Sequence, residues 1–141
     1  MLLAIDIGNT STSIGIYREG KLVNNWRTET KRDSTADQLA LLFREFIKMA
    51  GYDFNQIKGI AISNVVPSVQ HAITSMAKRY FDVEALCVTH ENAGIKINYP
   101  NPLEIGSDRL VNSVAAFNKY KGPVIVVDFG TATTLDYVDG N

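Results

Sequence analysis

The sequence predicts an α/β fold, a mixed sheet flanked by helices, followed by the first strands of a second, similar domain. Three observations carry that expectation. The first 28 residues hold three short strand-like runs separated by tight turns. Strand-like and helix-like segments then alternate along the chain. Finally, an apolar run followed by Asp-x-Gly occurs twice, at Asp6 and at Asp128.

Leu2 to Ile5 is a short apolar run suited to a buried strand. Asp6 to Thr10 reads as a turn, Ser13 to Tyr17 as a second strand, and Leu22 to Thr28 as a third. Turns this short join antiparallel neighbours, so the start should be a meander. Residues 34–50 read as a helix. Thr35 and Gln38 fit a capping box. Leu39, Leu42, Phe43, Phe46, Ile47 and Ala50 share one face, and Gly51 stands where a helix-terminating glycine belongs. Ile57 to Ile62 is a fourth strand. A helix follows from Pro67 to Tyr80, with Pro67 in its first turn and Val69, Ala72, Ile73, Met76, Ala77 and Tyr80 facing inward. Glu84 to Val88 is a fifth strand, and a crossover helix between strands implies parallel pairing.

Thr89 to Gly106 is long and irregular, stiffened at Tyr99-Pro100-Asn101-Pro102 because proline disfavours helix in the residue before it. Long loops inside compact domains are often functional. A third helix is expected from Asp108 to Lys119, packing through Leu110, Val111, Val114 and Ala115. Val124 to Val127 reads as a buried strand and Leu135 to Val138 as the strand after it. Asp139-Gly140-Asn141 is a hairpin-turn signal.

Composition narrows the function classes. The 141 residues are 45% hydrophobic and 21% charged, as in ordinary globular proteins, and the net charge is −1. That balance offers no basic stripe for nucleic acid. The single cysteine, Cys87, excludes an internal disulfide framework and fits a reducing compartment. Cys87 with His90 and His71 is too sparse for structural zinc, and Cys87 reads as a small core side chain. The first residues lack a signal peptide's basic start, and no apolar stretch is long enough to span a membrane. A cytoplasmic location is the expectation.

The two Asp-x-Gly segments align without gaps from Ala4–Thr12 to Val126–Thr134, an offset of 122 residues. Each is an apolar strand, a turn, small hydroxyl or amide residues, then another strand. Two full copies would need about 244 residues, assuming equal lengths. The expectation is therefore a first domain over 1–121 and the start of a second, truncated one over 122–141, the chain being an N-terminal fragment.

A glycine at a hairpin tip lets backbone N–H groups approach phosphate oxygens. Asn9, Thr10, Ser11 and Thr12 add side-chain donors, and Asp6 could hold Mg²⁺ through water, since that ion keeps several waters. Asp128, Thr131, Thr133 and Thr134 repeat these groups. One such loop alone reads more simply as an ordinary turn; the matched pair points to a nucleotide phosphate tail. The standard Walker, dinucleotide-binding and protein-kinase motifs are absent.

Asp6-Ile7-Gly8-Asn9-Thr10, the Asn101-Pro102-Leu103-Glu104-Ile105-Gly106-Ser107-Asp108-Arg109-Leu110 segment and Asp128-Phe129-Gly130-Thr131-Ala132-Thr133-Thr134 together resemble type III pantothenate kinase. That family overlaps the Bvg accessory factor-like proteins and belongs to the actin, sugar-kinase and heat-shock-chaperone ATPase superfamily, built from duplicated ribonuclease-H-like domains. The resemblance runs through the whole chain and implies ATP-dependent phosphorylation of pantothenate, the first step of coenzyme A synthesis, in a homodimer. It implies ATP contacts at Asp6, Ile7, Gly8, Asn9, Thr10, Ser11, Thr12, Ser13 and Thr131, with Mg²⁺ held by Asp6 through water. Asp128 becomes the ligand of K⁺ or NH₄⁺. Asp108 becomes the base that takes the acceptor hydroxyl's proton, and Tyr99, Gly106, Ser107, Asp108 and Arg109 the pantothenate site.

The residues themselves leave alternatives. Asp108 could simply cap the third helix. Arg109 could pair with Asp108 or Glu104, since a cation in a first helical turn opposes the macrodipole and needs a partner. Tyr99 could pack as a loop aromatic, and Asp128 could bond its own turn. Two rival classes share the fold expectation: a regulator of the accessory-factor type, and an ATPase that binds nucleotide to switch shape. A further small-molecule kinase of the same superfamily is a third alternative.

Overall fold

The computed structural model describes residues 1–139, and the turn signal at Gly140 and Asn141 lies outside them. The chain divides into two compact units, Met1–Cys87 and Val88–Asn141.

The first unit is a five-stranded mixed sheet covered on one face by two helices. Strands β1 (Leu2–Ile7), β2 (Ser11–Arg18) and β3 (Lys21–Glu29) form the expected antiparallel meander. Helix α1 (Ala36–Met49) leads to β4 (Gly59–Asn64), and α2 (Pro67–Phe81) leads to β5 (Leu86–Cys87). The strand order is β3-β2-β1-β4-β5, with β4 parallel to both β1 and β5. The expected α/β class and the parallel crossover both hold.

Leu3, Ile5 and Ile7 of β1, Ile14 and Ile16 of β2, and Ile60 and Ile62 of β4 meet Phe43 and Ile47 of α1 and Ile73 and Met76 of α2 in one core. Each such side chain stabilises the fold by roughly 1.5–3 kcal/mol on burial. Trp26 stacks on Phe46 with ring centroids 5.3 Å apart, at the edge of that core. The α1 capping box forms as expected: the Gln38 N–H donates to Thr35 Oγ1 at 3.2 Å, and the Thr35 N–H to Gln38 Oε1 at 2.9 Å. Gly51 takes φ +80°, where a side chain would be strained.

Several boundaries move for physical reasons. Asp6 and Ile7 lie in strand β1 rather than in the turn, because Ile7 continues the buried alternation of Leu3 and Ile5. The fourth strand begins at Gly59, not Ile57: a short 3₁₀ turn, Phe54–Gln56, occupies the approach. In α2, Phe81 rather than Tyr80 turns inward; Tyr80 is exposed and donates its hydroxyl to Asp37. Strand β5 keeps only two paired residues. Cys87 is half-buried and accepts from Gln70 Nε2 at 3.2 Å, in keeping with a structural side chain.

The second unit starts with an irregular run containing one 3₁₀ turn, Pro102–Glu104, and continues into α3 (Ser107–Tyr120). Strands β6 (Val124–Phe129) and β7 (Thr133–Val138) form an antiparallel ribbon, and α3 packs on one of its faces. The expectation of a buried strand at Val124–Val127 is overturned. Ile125, Val127 and Phe129 are 63%, 45% and 83% exposed, and only the alternate residues face α3. A two-stranded ribbon with one helix can cover only one of its faces.

Candidate functional site

The first candidate loop joins β1 to β2. The Gly8 N–H donates to the Ser11 carbonyl at 3.0 Å, closing a tight turn over Gly8, Asn9 and Thr10. A Cβ on Gly8 would lie 3.1 Å from that carbonyl, so a side chain there would crowd the turn. Strand alternation divides the candidates between two faces. Asp6, Ser11 and Ser13 lie on one, with Asp6 opposite Ser13 on β2 and Ser63 on β4. Ile7 and Thr12 turn to the other, core-side face and are buried.

Three residues outside any motif brace this loop. Thr30 donates its hydroxyl to the Gly8 carbonyl at 2.8 Å and lies 2.9 Å from Thr12 Oγ1. Arg32 Nη2 donates to Asn9 Oδ1 at 2.9 Å, so its exposed turn is tied to the loop. Arg27 Nε donates to Ser11 Oγ at 2.9 Å. The sequence pattern marks none of these, because Arg27 of β3 and the residues Thr30 and Arg32 just after it reach the loop only through the fold.

The second loop joins β6 to β7 and repeats the design, with the Gly130 N–H donating to the Ala132 carbonyl at 3.1 Å. It is one residue tighter. Ile7 pairs with Thr12 in the first hairpin, but Phe129 pairs with Thr133 in the second. The gapless alignment therefore slips by one after the glycine: Thr133, not Thr134, stands where Thr12 does. Because strand side chains alternate, this slip is what keeps matching residues on matching faces. Thr131 sits exposed at the tip. Asp128 accepts from Asn112 Nδ2 of α3 at 3.2 Å.

The third cluster surrounds the start of α3, within the same unit. Gly106, in extended conformation, is the N-cap, so Asp108 is not the cap considered from sequence: it sits inside the first turn. Its Oδ1 accepts from the Arg109 N–H at 2.8 Å, and the helix N-terminus favours its negative charge. Ser107 is buried beside it. Arg109 does not pair with Glu104, which accepts from Asn101 Nδ2, nor through its side chain with Asp108. Its partner is Asp136 of β7: Arg109 Nε donates to both carboxylate oxygens, at 3.0 and 3.2 Å, and Nη2 adds a third contact. The Asp136 carboxylate holds the Arg109 pKa above its already high ordinary value, against the opposing effect of burial. The Arg109 guanidinium carbon lies 5.6 Å from the centroid of the Tyr99 ring. Tyr99, Arg109 and Asp136 line a cavity of about 410 Å³ with Ile95, Ile97 and Tyr137.

Phosphate and cation chemistry fit these groups. The described residues contain no cluster of three or more His, Cys, Asp or Glu side chains. A cation at Asp6 or Asp128 would thus take its other ligands from water, backbone or phosphate oxygens, the coordination that hard cations accept. Among the described residues no helix is long and apolar enough to cross a membrane.

Comparison with known proteins places the chain in a family. A family model described as type III pantothenate kinase matches residues 2–141. A curated type III pantothenate kinase from Listeria innocua is 47% identical over 99% of this chain and 54% of its own length. One from Bacillus cytotoxicus is 42% identical over 99% and 53%. The chain thus spans about half the length of the curated relatives it matches. Among solved structures, YeaZ from Pseudomonas aeruginosa superposes with a TM-score of 0.52 at 15% identity, covering 96% of this chain and 57% of that one. The Aquifex aeolicus PPX-GPPA enzyme gives 0.51 at 17%, covering 99% and 48%. These two likenesses speak for the α/β fold alone. The match of family model and relatives along nearly every residue establishes that the chain belongs to the type III pantothenate kinase family.

Proposed function

We propose that this chain is the N-terminal part of an ATP-dependent pantothenate kinase, acting at the first step of coenzyme A synthesis. The observation that carries the reading is the Asp108-Arg109 pair in the first turn of α3, with Arg109 on the wall of a cavity. A carboxylate and a guanidinium on adjacent residues suit an acceptor that carries both a hydroxyl and a carboxylate.

In this reading the Asp6–Ser13 hairpin and Thr131 bind the ATP phosphates through backbone N–H and hydroxyl groups. Asp6 holds Mg²⁺ through water, and Asp128 holds K⁺ or NH₄⁺, supplying charge neutralisation when bound. Asp108 accepts the proton of the pantothenate hydroxyl as its oxygen attacks the γ-phosphorus; the bond to the ADP oxygen breaks and ADP leaves. Phosphoryl transfer depends on positioning and charge stabilisation more than on a strong base, so an ordinary carboxylate suffices. Arg109 receives the pantothenate carboxylate, and Tyr99, Gly106 and Ser107 shape the site around it. The protein works as a cytoplasmic homodimer, which sedimentation would test.

Residues 122–141 begin a second domain of the same kind as 1–121. The repeat of the Asp-x-Gly hairpin supports this, as does the greater length of the relatives. The test is an assay of the protein at the length of its relatives with ATP, Mg²⁺, K⁺ and pantothenate. Phosphopantothenate is the expected product. No product, with turnover of another acceptor, would sink the substrate assignment.

A further inference from the structure

We propose that Asp136 is a positioning residue that sets the affinity for the acceptor's carboxylate by holding Arg109; this rests on the reading of Arg109 as the carboxylate's partner. A guanidinium has five N–H donors in a rigid plane. Asp136 takes the edge formed by Nε and one N–H of Nη2. The other edge, Nη1 and the second N–H of Nη2, is not bonded by Asp136 and carries the paired donors that match a carboxylate, with Tyr99 as its neighbour. Tyr99 lies beside the guanidinium, so neighbours limit it at one edge and by an aromatic ring. The two side chains keep only 25% and 15% of their exposure, and both line the same cavity.

The fold alone does not ask for a carboxylate here. Once the one-residue slip between hairpins is allowed, the position matching Asp136 in β2 is Gly15, opposite Ala4. In β7 the carboxylate instead faces α3, opposite Val126, in a strand otherwise apolar from Leu135 to Val138. An arginine in the first turn of a helix is disfavoured by the macrodipole. Asp136 offsets that and at the same time fixes which edge of the guanidinium it occupies itself.

The experiment uses the protein at the length of its relatives. Asp136→Asn should raise the KM for pantothenate by about 10- to 100-fold, the range carried by partners that orient a ligating group. Turnover at saturation and the KM for ATP should stay within about twofold, as expected when binding rather than the chemical step is lost. Asp136→Glu, which keeps the charge but moves it, should fall between the two. If Asp136→Asn does not fold, the Glu variant decides alone, and a pantothenate KM equal to the parent's overturns the proposal.

A second acceptor, pantothenate with its carboxylate converted to a neutral amide, separates positioning from general support. The parent should prefer the acid, and Asp136→Asn should lose much of that preference. Equal weakening toward both acceptors would make Asp136 merely structural and overturn the proposal. Arg109→Met tells this failure from failure of the underlying reading. If Arg109→Met abolishes the preference for the acid and Asp136→Asn keeps it, the positioning role fails while the Arg109 reading stands. If Arg109→Met also keeps the preference, the Arg109 reading itself fails.

Discussion

The hairpins β1–β2 and β6–β7 share a motif and a turn, yet they bury opposite amounts of themselves. Leu3, Ile5 and Ile7 are at most 2% exposed, whereas their counterparts Ile125, Val127 and Phe129 are 63%, 45% and 83% exposed. Ile14 and Ile16 are 2% and 0% exposed; Leu135 and Tyr137, at the matching positions of β7, are 65% and 68%. The difference lies in what covers them. In the first unit α1 and α2 close the apolar face. In the second, α3 packs on the other face, that of Asp128 and Asp136. The same strand pattern therefore serves as a sealed scaffold in one unit. In the other it is a platform for charged groups, with its second apolar face open. An exposed apolar surface of five large side chains has the character of an interaction face.

The sharpest test of this division concerns chemistry in the second unit. At the length of the relatives, Asp108→Asn should lower kcat about 10²- to 10⁴-fold, the usual contribution of a positioned base. ATP affinity should be unchanged. Steady-state kinetics with separate ATP binding reads both, and a variant of undiminished turnover would remove Asp108 from that role. Next in size is the scaffold: Phe43→Ala should destabilise the 141-residue chain by about 3–5 kcal/mol, as for other buried aromatic truncations. Urea unfolding monitored on Trp26, which stacks beside this core, measures it; a loss under 1 kcal/mol would mean that the first unit is not sealed as described.

Smaller effects refine the contrast. Thr35→Ala removes one half of the α1 capping box and should cost about 0.5–2 kcal/mol in the same titration. Phe129→Ser should change the stability of the 141-residue chain by no more than about 0.5 kcal/mol, as for surface substitutions. In the protein at its relatives' length the same change should cost several times more, if the open face is covered there. Equal, small costs at both lengths would refute that covering.

Much of the fold was legible because local signals agreed. The capping box at Thr35, the 3.6-residue apolar stripe of α1 and the proline opening α2 each act within one turn of chain, so sequence reports them directly. The candidate residues Gly8, Asp108 and Arg109 were legible through motif spacing alone. Their partners were not. Thr30, Arg32 and Asn112 carry no motif, and Arg109's cation in a first helical turn signalled only that some anion was needed. Asp136 interrupts an apolar strand, which could have marked it, but which cation it faces depends on how α3 lies across β7.

By itself, then, the sequence determined the element order, the two glycine turns and the family, since these follow from neighbours along the chain. Only the tertiary structure decided which apolar faces are closed, where the repeat slips by a residue, and that Asp136 holds Arg109. Strand periodicity makes the two faces of a ribbon distinct, but it does not say which face a helix will cover. That choice is made by long-range packing, and here it places one carboxylate of β7 under the first turn of α3.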